Sequence, residues 1–129
     1  MRDRSISLTE AEWEVMACLW ECSPRTGREV TEWLQQRMDW SRSTSLTLLR
    51  RLEAKGAVGE VPEADIKLFQ PLVGKDSVAV HETRSLLDRA YKGSLSLLVS
   101  AFTKEQALSQ KEIDELYSIL HEMEERHNA

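Results

Sequence analysis

Four basic side chains, Arg42, Arg50, Arg51 and Lys55, lie close together in the stretch "SRSTSLTLLRRLEAKG", where Glu53 is the only acidic residue. Guanidinium groups can bind phosphates or a guanine edge, and the small hydroxyl residues between them let a helix backbone approach a groove closely. The whole chain carries a formal net charge of −5, so it is not a general nucleic-acid coat. The stretch therefore predicts a small, local surface for a polyanion.

The helix that carries this stretch is predicted to begin near Ser41 or Ser43 and to end at Gly56. At about 100° per residue, one side is mostly apolar and should face the core: Ser45, Leu48, Leu49, Leu52 and Gly56. The opposite side bears no carboxylate and is centred on Ser43, Thr47, Arg50 and Ala54, with Leu46 and Arg51 on its shoulders. An exposed Leu46 is costly unless it meets an apolar group such as a thymine methyl. The alternative is an ordinary solvated helix, although such helices usually intersperse Glu and Lys.

The surrounding elements are predicted from local signals. Capping boxes, in which Thr or Ser is followed three residues later by Glu, predict three helix starts at Thr9–Glu12, Thr26–Glu29 and Ser109–Glu112. After the third helix, "AVGEV" and "IKLFQPLV" are strand-like and flank the turn "PEAD". We predict a mainly α fold with a small β-hairpin. It comprises a winged helix-turn-helix DNA-binding domain over residues 1–73 and a helical dimerisation domain over residues 74–129.

The helices after residue 74 are rich in apolar residues, yet they are too few to bury a sizeable core of their own. A monomer would therefore expose a broad hydrophobic surface, which a twofold dimer would cover. The last helix has a 3-4-3 apolar spacing typical of a coiled-coil seam. The residues predicted to form the homodimer contact are Leu95, Leu98, Phe102, Ile113, Leu116 and Leu120. The alternative is that these helices fold back onto the winged domain.

Several classes of protein are excluded by what the sequence lacks. It has no G-x-S-x-G, HExxH or phosphate-binding Gly-rich loop, so we expect neither an enzyme nor a cofactor. It has no apolar run near the roughly 20 residues of a membrane span, and "MRDRSISLTE" lacks the apolar region of a signal peptide. We expect a cytoplasmic protein without membrane insertion.

Cysteines and histidines do not make a metal site in this sequence. Cys18 and Cys22 are four residues apart on the first predicted helix, and two ligands do not close a site. His81, His121 and His127 are scattered. We expect no metal, and we predict that both cysteines serve structural packing. The alternative is a protein controlled by oxidation of Cys18 or Cys22.

Two runs of residues are distinctive. The first is A-E-W-x-V-M-x-x-x-W, formed by Ala11, Glu12, Trp13, Val15, Met16 and Trp20. The second is T-x-x-T-L-x-x-R-L, formed by Thr44, Thr47, Leu48, Arg51 and Leu52. With "SLLVSAF" and "LSQKEIDELYSIL", they make the chain resemble the penicillinase-repressor family (BlaI, MecI and the copper-responsive CopY repressors) from Ile6 to about Met123. The resemblance implies a homodimeric winged-helix repressor of a palindromic double-stranded DNA operator with TACA-like half-sites.

By position, the resemblance implies that the recognition helix contacts DNA through Ser43, Thr44, Leu46, Thr47 and Arg51. Arg42 and Arg50 add positive charge beside these residues. The antibiotic-resistance repressors tend to have arginine in place of Leu46 and threonine in place of Arg50. The base readout of this chain is therefore expected to differ from theirs.

The wing is implied to touch the DNA backbone, but here it is acidic. Lys67 is its basic residue, against Glu60, Glu63 and Asp65. Carboxylates weaken phosphate contacts, so affinity should depend more on dimerisation and on the arginines of the helix. The acidic wing also supports an alternative function, a winged-helix protein-interaction module that does not bind DNA.

The resemblance implies a release mechanism as well. Resistance repressors are cleaved at an Asn-Phe bond by a protease signal, and the matching bond here is Ala101–Phe102, which keeps only the phenylalanine. The implied partner is a sensor-protease. The copper branch has paired C-x-C motifs near the C-terminus, whereas the tail "HEMEERHNA" has no cysteine. Copper sensing is therefore not expected.

Overall fold

The structure is a computed structural model of the chain and describes residues 6–105 and 108–128. Along these residues, helices and short strands follow in the order α1 (Glu10–Glu21), β1 (Arg25–Thr26), α2 (Gly27–Met38), α3 (Arg42–Lys55), β2 (Val58–Glu60), β3 (Leu68–Pro71), α4 (Lys75–Tyr91), α5 (Leu95–Glu105) and α6 (Gln110–Asn128). The predicted fold class, mainly α with a small β element, is confirmed.

Local capping chemistry starts three of the helices, as predicted. At α1 the hydroxyl of Thr9 accepts a hydrogen bond from the Glu12 backbone at 3.1 Å, and the Glu12 carboxylate accepts one from the Thr9 backbone at 2.9 Å. The same reciprocal pair of bonds opens α2 and α6, at Thr26–Glu29 and Ser109–Glu112. Each box satisfies two backbone N–H groups that have no partner within the helix.

The third helix has the boundaries and the register that the sequence predicted. The hydroxyl of Ser41 caps its start by accepting from the Thr44 backbone at 3.1 Å, and Gly56 ends it in the left-handed region at φ 86°. A side chain is strained at such a φ, which favours glycine there. Four residues predicted to face the core are buried, namely Ser45, Leu48, Leu49 and Leu52, whereas the fifth, Gly56, is exposed at the end of the helix.

The sheet has three antiparallel strands in the order β1-β3-β2. β2 and β3 form the predicted hairpin, with Gly59 opposite Gln70. The strand β1 was not predicted, and it pairs with β3 through Arg25 opposite Phe69. A segment of two residues is too short to carry a strand signal of its own. β1 therefore forms only because it can pair with the free edge of β3.

The chain divides into two compact units, one ending at Ser85 and the other beginning at Leu86. The core of the first unit joins α1, α2, α3 and the sheet, and it includes Val78, so the first half of α4 belongs to this unit. The division by contacts therefore falls inside α4. The assignment of DNA binding to residues 1–73 and dimerisation to residues 74–129 stays a prediction.

Candidate nucleic-acid interface

The outward side of α3 is solvent-exposed, as the helical periodicity predicted. We call it the outer face of α3, and its exposed residues are Arg42, Ser43, Thr44, Thr47, Arg50, Arg51 and Ala54. None of these residues is acidic. Among the described residues, neither Arg50 nor Arg51 has an ion-pair partner within 4 Å. Neither guanidinium group is held in an ion pair, so both can meet an external anion, and the charge of Arg50 also acts on the carboxylate of Glu53.

Leu46 is not exposed, contrary to the sequence prediction. It is half-buried and packs against the hydrophobic core. A β-carbon placed on Gly27 would lie 4.0 Å from Leu46 Cδ2 and 3.6 Å from the ring of Phe69, which shows how closely α2, α3 and β3 meet here. Leu46 therefore already has an intramolecular apolar partner, and it needs no thymine methyl to bury it.

Arg42 has a structural contact of its own. Its Nη1 atom donates to the hydroxyl of the buried Thr31 at 3.4 Å, which joins the first turn of α3 to α2. The donor is a charged guanidinium, so the bond is stronger than a neutral one of the same length. Arg42 therefore helps to hold the start of α3 while the rest of its side chain stays at the surface.

Lys55 does not belong to the outer face. Its ammonium group donates to the carboxylate of Glu12, which is 1% exposed, and to the backbone oxygen of Ser7 at 2.8 Å. Burial alone would raise the pKa of Glu12, but hydrogen bonds from Lys55 and Thr9 and the charge of Lys55 lower it overall. The sequence placed Lys55 in the cationic cluster, whereas the structure uses it to fix the C-terminal end of α3 on α1.

The lysine of the wing, Lys67, already has intramolecular partners. Lys67 Nζ lies 3.4 Å from Glu60 Oε2 and 5.4 Å from the centre of the Phe69 ring. Burial raises the pKa of Glu53, and so do the charge of Glu60 and a hydrogen bond with it, while Lys67 opposes the rise. The Lys67 charge is therefore shared between two carboxylates. It is a weaker phosphate ligand than the sequence alone indicates.

A contact that the sequence did not reveal holds α4 on α1. The carboxylate of Glu82 accepts from the backbone N–H of Leu8 at 2.9 Å and from the indole N–H of Trp13 at 3.0 Å. Both bonds span more than sixty residues of sequence, so no local pattern could have indicated them. The indole of Trp20 likewise donates to the backbone oxygen of Val73, at 2.9 Å.

The second unit presents many of its apolar side chains to solvent. Of the residues predicted for dimerisation, Leu98 and Ile113 are half-buried, and four are exposed: Leu95, Phe102, Leu116 and Leu120. Val99, Ile119 and Met123 are also exposed. Monomeric proteins rarely expose so many large apolar groups on a few helices.

The bond matched to the family cleavage site lies inside a helix. Ala101 is half-buried and Phe102 is exposed, and both are within α5. Proteases bind substrates in extended form, so this bond is protected while α5 is folded.

The two cysteines differ in their surroundings. Cys18 is fully buried in the core, and this burial raises the pKa of its thiol to about 11, although the charge of Arg25 opposes the rise. Cys22 is exposed, so the prediction of structural packing is wrong for this residue, which ends α1 as its C-cap.

The part of the chain that the structure describes has neither a metal-ligand cluster nor a membrane-spanning helix. No three His, Cys, Asp or Glu side chains are grouped so that they could hold a metal ion. No helix within residues 6–105 and 108–128 has the length and apolar character needed to cross a membrane.

Comparison with known proteins gives one consistent result. The family model for the penicillinase repressor matches residues 8–122. The methicillin resistance regulatory protein MecI of Staphylococcus aureus (strain N315) is 32% identical over 120 residues, which cover 93% of this chain and 98% of that protein. The penicillinase repressor of Bacillus licheniformis is 34% identical over 119 residues, 92% of this chain and 93% of that one.

A solved structure agrees. The solution structure of monomeric Bacillus licheniformis BlaI, in complex with the blaP half-operator, matches with a TM-score of 0.50 and 30% identity, over 56% of this chain and 88% of that one. The winged-helix fold of the N-terminal part and the expectation of a non-enzymatic protein are thereby confirmed. This chain belongs to the penicillinase repressor family.

Proposed function

We propose that this protein represses transcription by binding an operator duplex, with α3 in the major groove and its outer face toward the bases. One observation carries the proposal: the outer face of α3 is exposed, free of carboxylates, and bears Arg50 and Arg51 without ion-pair partners among the described residues. The BlaI structure that this chain resembles is a complex with the blaP half-operator. This chain shares the fold of that protein.

The residues of the outer face take different parts in this proposal. Ser43, Thr44 and Thr47 are short, so the helix backbone can approach the base edges closely. Arg50 and Arg51 are long enough to reach a guanine edge or a phosphate. Arg42 positions the first turn through Thr31 and adds charge near the backbone of the duplex. The side chain of Leu46 is already half-buried, so its part is limited to the shape of the protein surface beside the groove.

The proposed operator is a palindrome with TACA-like half-sites, and the proposed repressor is a homodimer. Exposed apolar side chains on α5 and α6 support the dimer: Leu95, Phe102, Leu116 and Leu120. A twofold pair presents two α3 helices, and two half-sites double the favourable contacts of a single one. Lys67 adds to phosphate contact only when it leaves Glu60.

Release is proposed to follow cleavage at Ala101–Phe102 by a sensor-protease, with the repressor acting in the cytoplasm. Since the bond lies within α5, the protease must bind a chain in which this helix has locally unfolded. Cleavage would separate Phe102, Leu116 and Leu120 from the unit that carries α3. Repression would end because a monomer loses the second half-site.

A binding experiment tests the DNA-binding function. Duplexes selected from a random pool give the operator, and fluorescence anisotropy then compares the unmodified chain with the Arg51→Ala and Arg126→Ala variants over a salt series. Arg126 is an exposed arginine in the last turn of α6, so its variant matches the charge change. Arg51→Ala should cost about 1–3 kcal/mol of binding free energy, and Arg126→Ala close to none.

The same binding experiment can also contradict the DNA-binding proposal. If no duplex is enriched and both variants bind any DNA as weakly as the unmodified chain, the DNA-binding proposal is wrong. The acidic wing would then favour a protein-interaction module, and a partner captured through the outer face of α3 would identify it.

A further inference from the structure

A pocket of about 500 Å³ lies in the first unit, on the side of α1 near the end of α2. No contact proposed for DNA involves it. Six residues line it: Glu10, Ala11, Trp13, Glu14, Met38 and Trp40. Its volume is within the range of about 300–1,000 Å³ that is usual for small-molecule sites.

The lining has a definite chemical character. The indoles of Trp13 and Trp40 and the thioether of Met38 are apolar and polarisable, and aromatic faces attract cations. The carboxylates of Glu10 and Glu14 repel an anion and favour a positive charge. We propose that this pocket binds a small organic cation with apolar substituents, such as an aryl quaternary ammonium ion. We propose further that its binding weakens operator affinity, a regulatory step that depends on the proposed function.

Two side chains that line the pocket, Trp13 and Glu14, are already held by other residues. Trp13 is held by its bond to Glu82 at 3.0 Å and by an edge contact with Trp20, at 5.5 Å between ring centres. Glu14 is held by Arg37, whose Nε lies 3.4 Å from its Oε1. A ligand therefore does not have to order these groups, which lowers the free-energy cost of binding.

The charge balance at the pocket is negative. Arg37 offsets Glu14, and it also lies over the ring of Trp33, 5.0 Å from the ring centre, so it is committed to its own neighbours. Glu10 has no ion-pair partner within 4 Å among the residues that the structure describes. One carboxylate is therefore left to pair with the charge of a bound cation.

The pocket is next to the elements that would act on DNA. Trp40 directly precedes Ser41, the residue that caps α3. Trp13 is bonded to Glu82 on α4. Both indoles line the pocket, so a bound cation is next to residues joined to α3 and to α4. If the cation favours a different arrangement of α3, it lowers the affinity for DNA by the same factor as DNA lowers the affinity for the cation.

Binding can be measured without DNA. Two probes of matched shape are the para-hydroxyphenyl trimethylammonium ion and neutral para-tert-butylphenol, titrated into the full chain labelled with ¹⁵N. We expect the indole N–H resonances of Trp13 and Trp40 to move and that of Trp33 to stay, since Trp33 donates to Glu21 outside the pocket. The cation should bind at least about tenfold more tightly than the phenol. Equal affinity for the two probes, or equal shifts at Trp33, would overturn the proposal.

Charge variants test the site itself. Glu10→Gln and Glu14→Gln should each weaken cation binding at least about fivefold. Glu32→Gln is the control, because Glu32 is exposed and paired with Arg28 at 3.0 Å in the same way, yet lies outside the pocket. Circular dichroism confirms that each variant is folded. Unchanged affinity in folded Glu10→Gln and Glu14→Gln proteins would also overturn the proposal.

The regulatory step has its own measurement. Operator affinity is determined over a series of cation concentrations. At saturation it should fall at least about threefold in the unmodified chain, and Glu10→Gln should need at least about fivefold more cation to reach the same fall. If the cation binds and operator affinity stays the same, the regulatory step is wrong. If the chain binds no operator even without cation, the proposed function is wrong, and the resonance shifts alone decide whether the pocket binds cations.

Discussion

Lys55, in the last turn of α3, donates a hydrogen bond to the buried carboxylate of Glu12, in the first turn of α1. The same ammonium group also donates to the backbone oxygen of Ser7. Through these bonds the C-terminal end of α3 is tied to α1, while Arg42 ties the other end to α2. The direction in which the outer face of α3 points is therefore set at both ends of the helix.

Lys55→Ala should destabilise the protein by about 2–4 kcal/mol, because it leaves the Glu12 carboxylate buried without a counter-charge. The control is Arg28→Ala, which breaks an exposed pair with Glu32 and should cost at most about 0.5 kcal/mol. Urea unfolding followed by circular dichroism measures both values. Equal stability of the two variants would show that the buried pair adds nothing.

The pKa of Glu12 also predicts how stability depends on pH. This pKa is lower than the usual 4.5, so Glu12 contributes stability above the unfolded value and loses it as pH falls below about 4.5. Glu12→Gln keeps the capping geometry and should make the fall of unfolding free energy between about pH 5 and pH 3 shallower. The pKa of Glu53 is raised, which has the opposite sign, so Glu53→Gln should make that fall steeper. Urea unfolding at several pH values checks both, and slopes that change in the same direction would contradict the assignment.

Glu60→Gln should strengthen operator binding, because it releases Lys67 and removes a carboxylate from the wing. We expect about two- to fivefold tighter binding and a salt dependence steeper by about one released counterion. Glu115→Gln makes the same charge change on α6 and is the control. Anisotropy titrations at several salt concentrations measure both quantities. Identical curves for the two variants would show that the wing does not approach the duplex.

Leu120→Asp should prevent dimerisation. A carboxylate at this exposed apolar position would be buried in each copy of a twofold contact, so the dimer dissociation constant should rise at least about a hundredfold. Ile66→Asp places the same charge at an exposed apolar position of the wing and should leave the oligomeric state unchanged. Sedimentation velocity distinguishes monomer from dimer. An unmodified chain that sediments as a monomer would refute the proposed homodimer.

The two thiols should react at very different rates. Since the pKa of Cys18 is raised to about 11, only about a thousandth of it is thiolate near pH 8, and burial also blocks access. A colorimetric disulfide reagent should therefore titrate one thiol rapidly in the native protein and two in denaturant. Cys22→Ser should abolish the rapid phase, and Cys18→Ser should keep it. Peroxide that weakens operator binding of the unmodified chain but not of Cys22→Ser would favour control by oxidation.

How much the sequence could predict depends on the range of the interaction concerned. The starts of α1, α2 and α6 were predictable because each capping box lies within four residues. The buried side of α3 followed from its periodicity alone. Local chemistry of this kind is visible in any short window of sequence.

The errors came from contacts between distant residues. Helical periodicity gave the direction of Leu46, but not that Gly27 and Phe69 fill the space beside it. Lys55 was assigned to the cationic cluster because its partner, Glu12, is 43 residues away and no local pattern links the two. The strand β1 and the carboxylate of Glu82 also depend on partners that only the folded chain supplies.

The acidic wing has a consequence for how such a repressor is distributed in a cell. Random chromosomal DNA holds a protein almost entirely through phosphate contacts, which carry no sequence information. Because Lys67 is paired with Glu60, the phosphate contacts of the wing are weakened, while the recognition helix is unaffected. A larger share of the molecules stays unbound by bulk chromosome, but the operator loses the same phosphate contacts, so the acidic wing lowers overall DNA affinity without lowering the preference for one promoter.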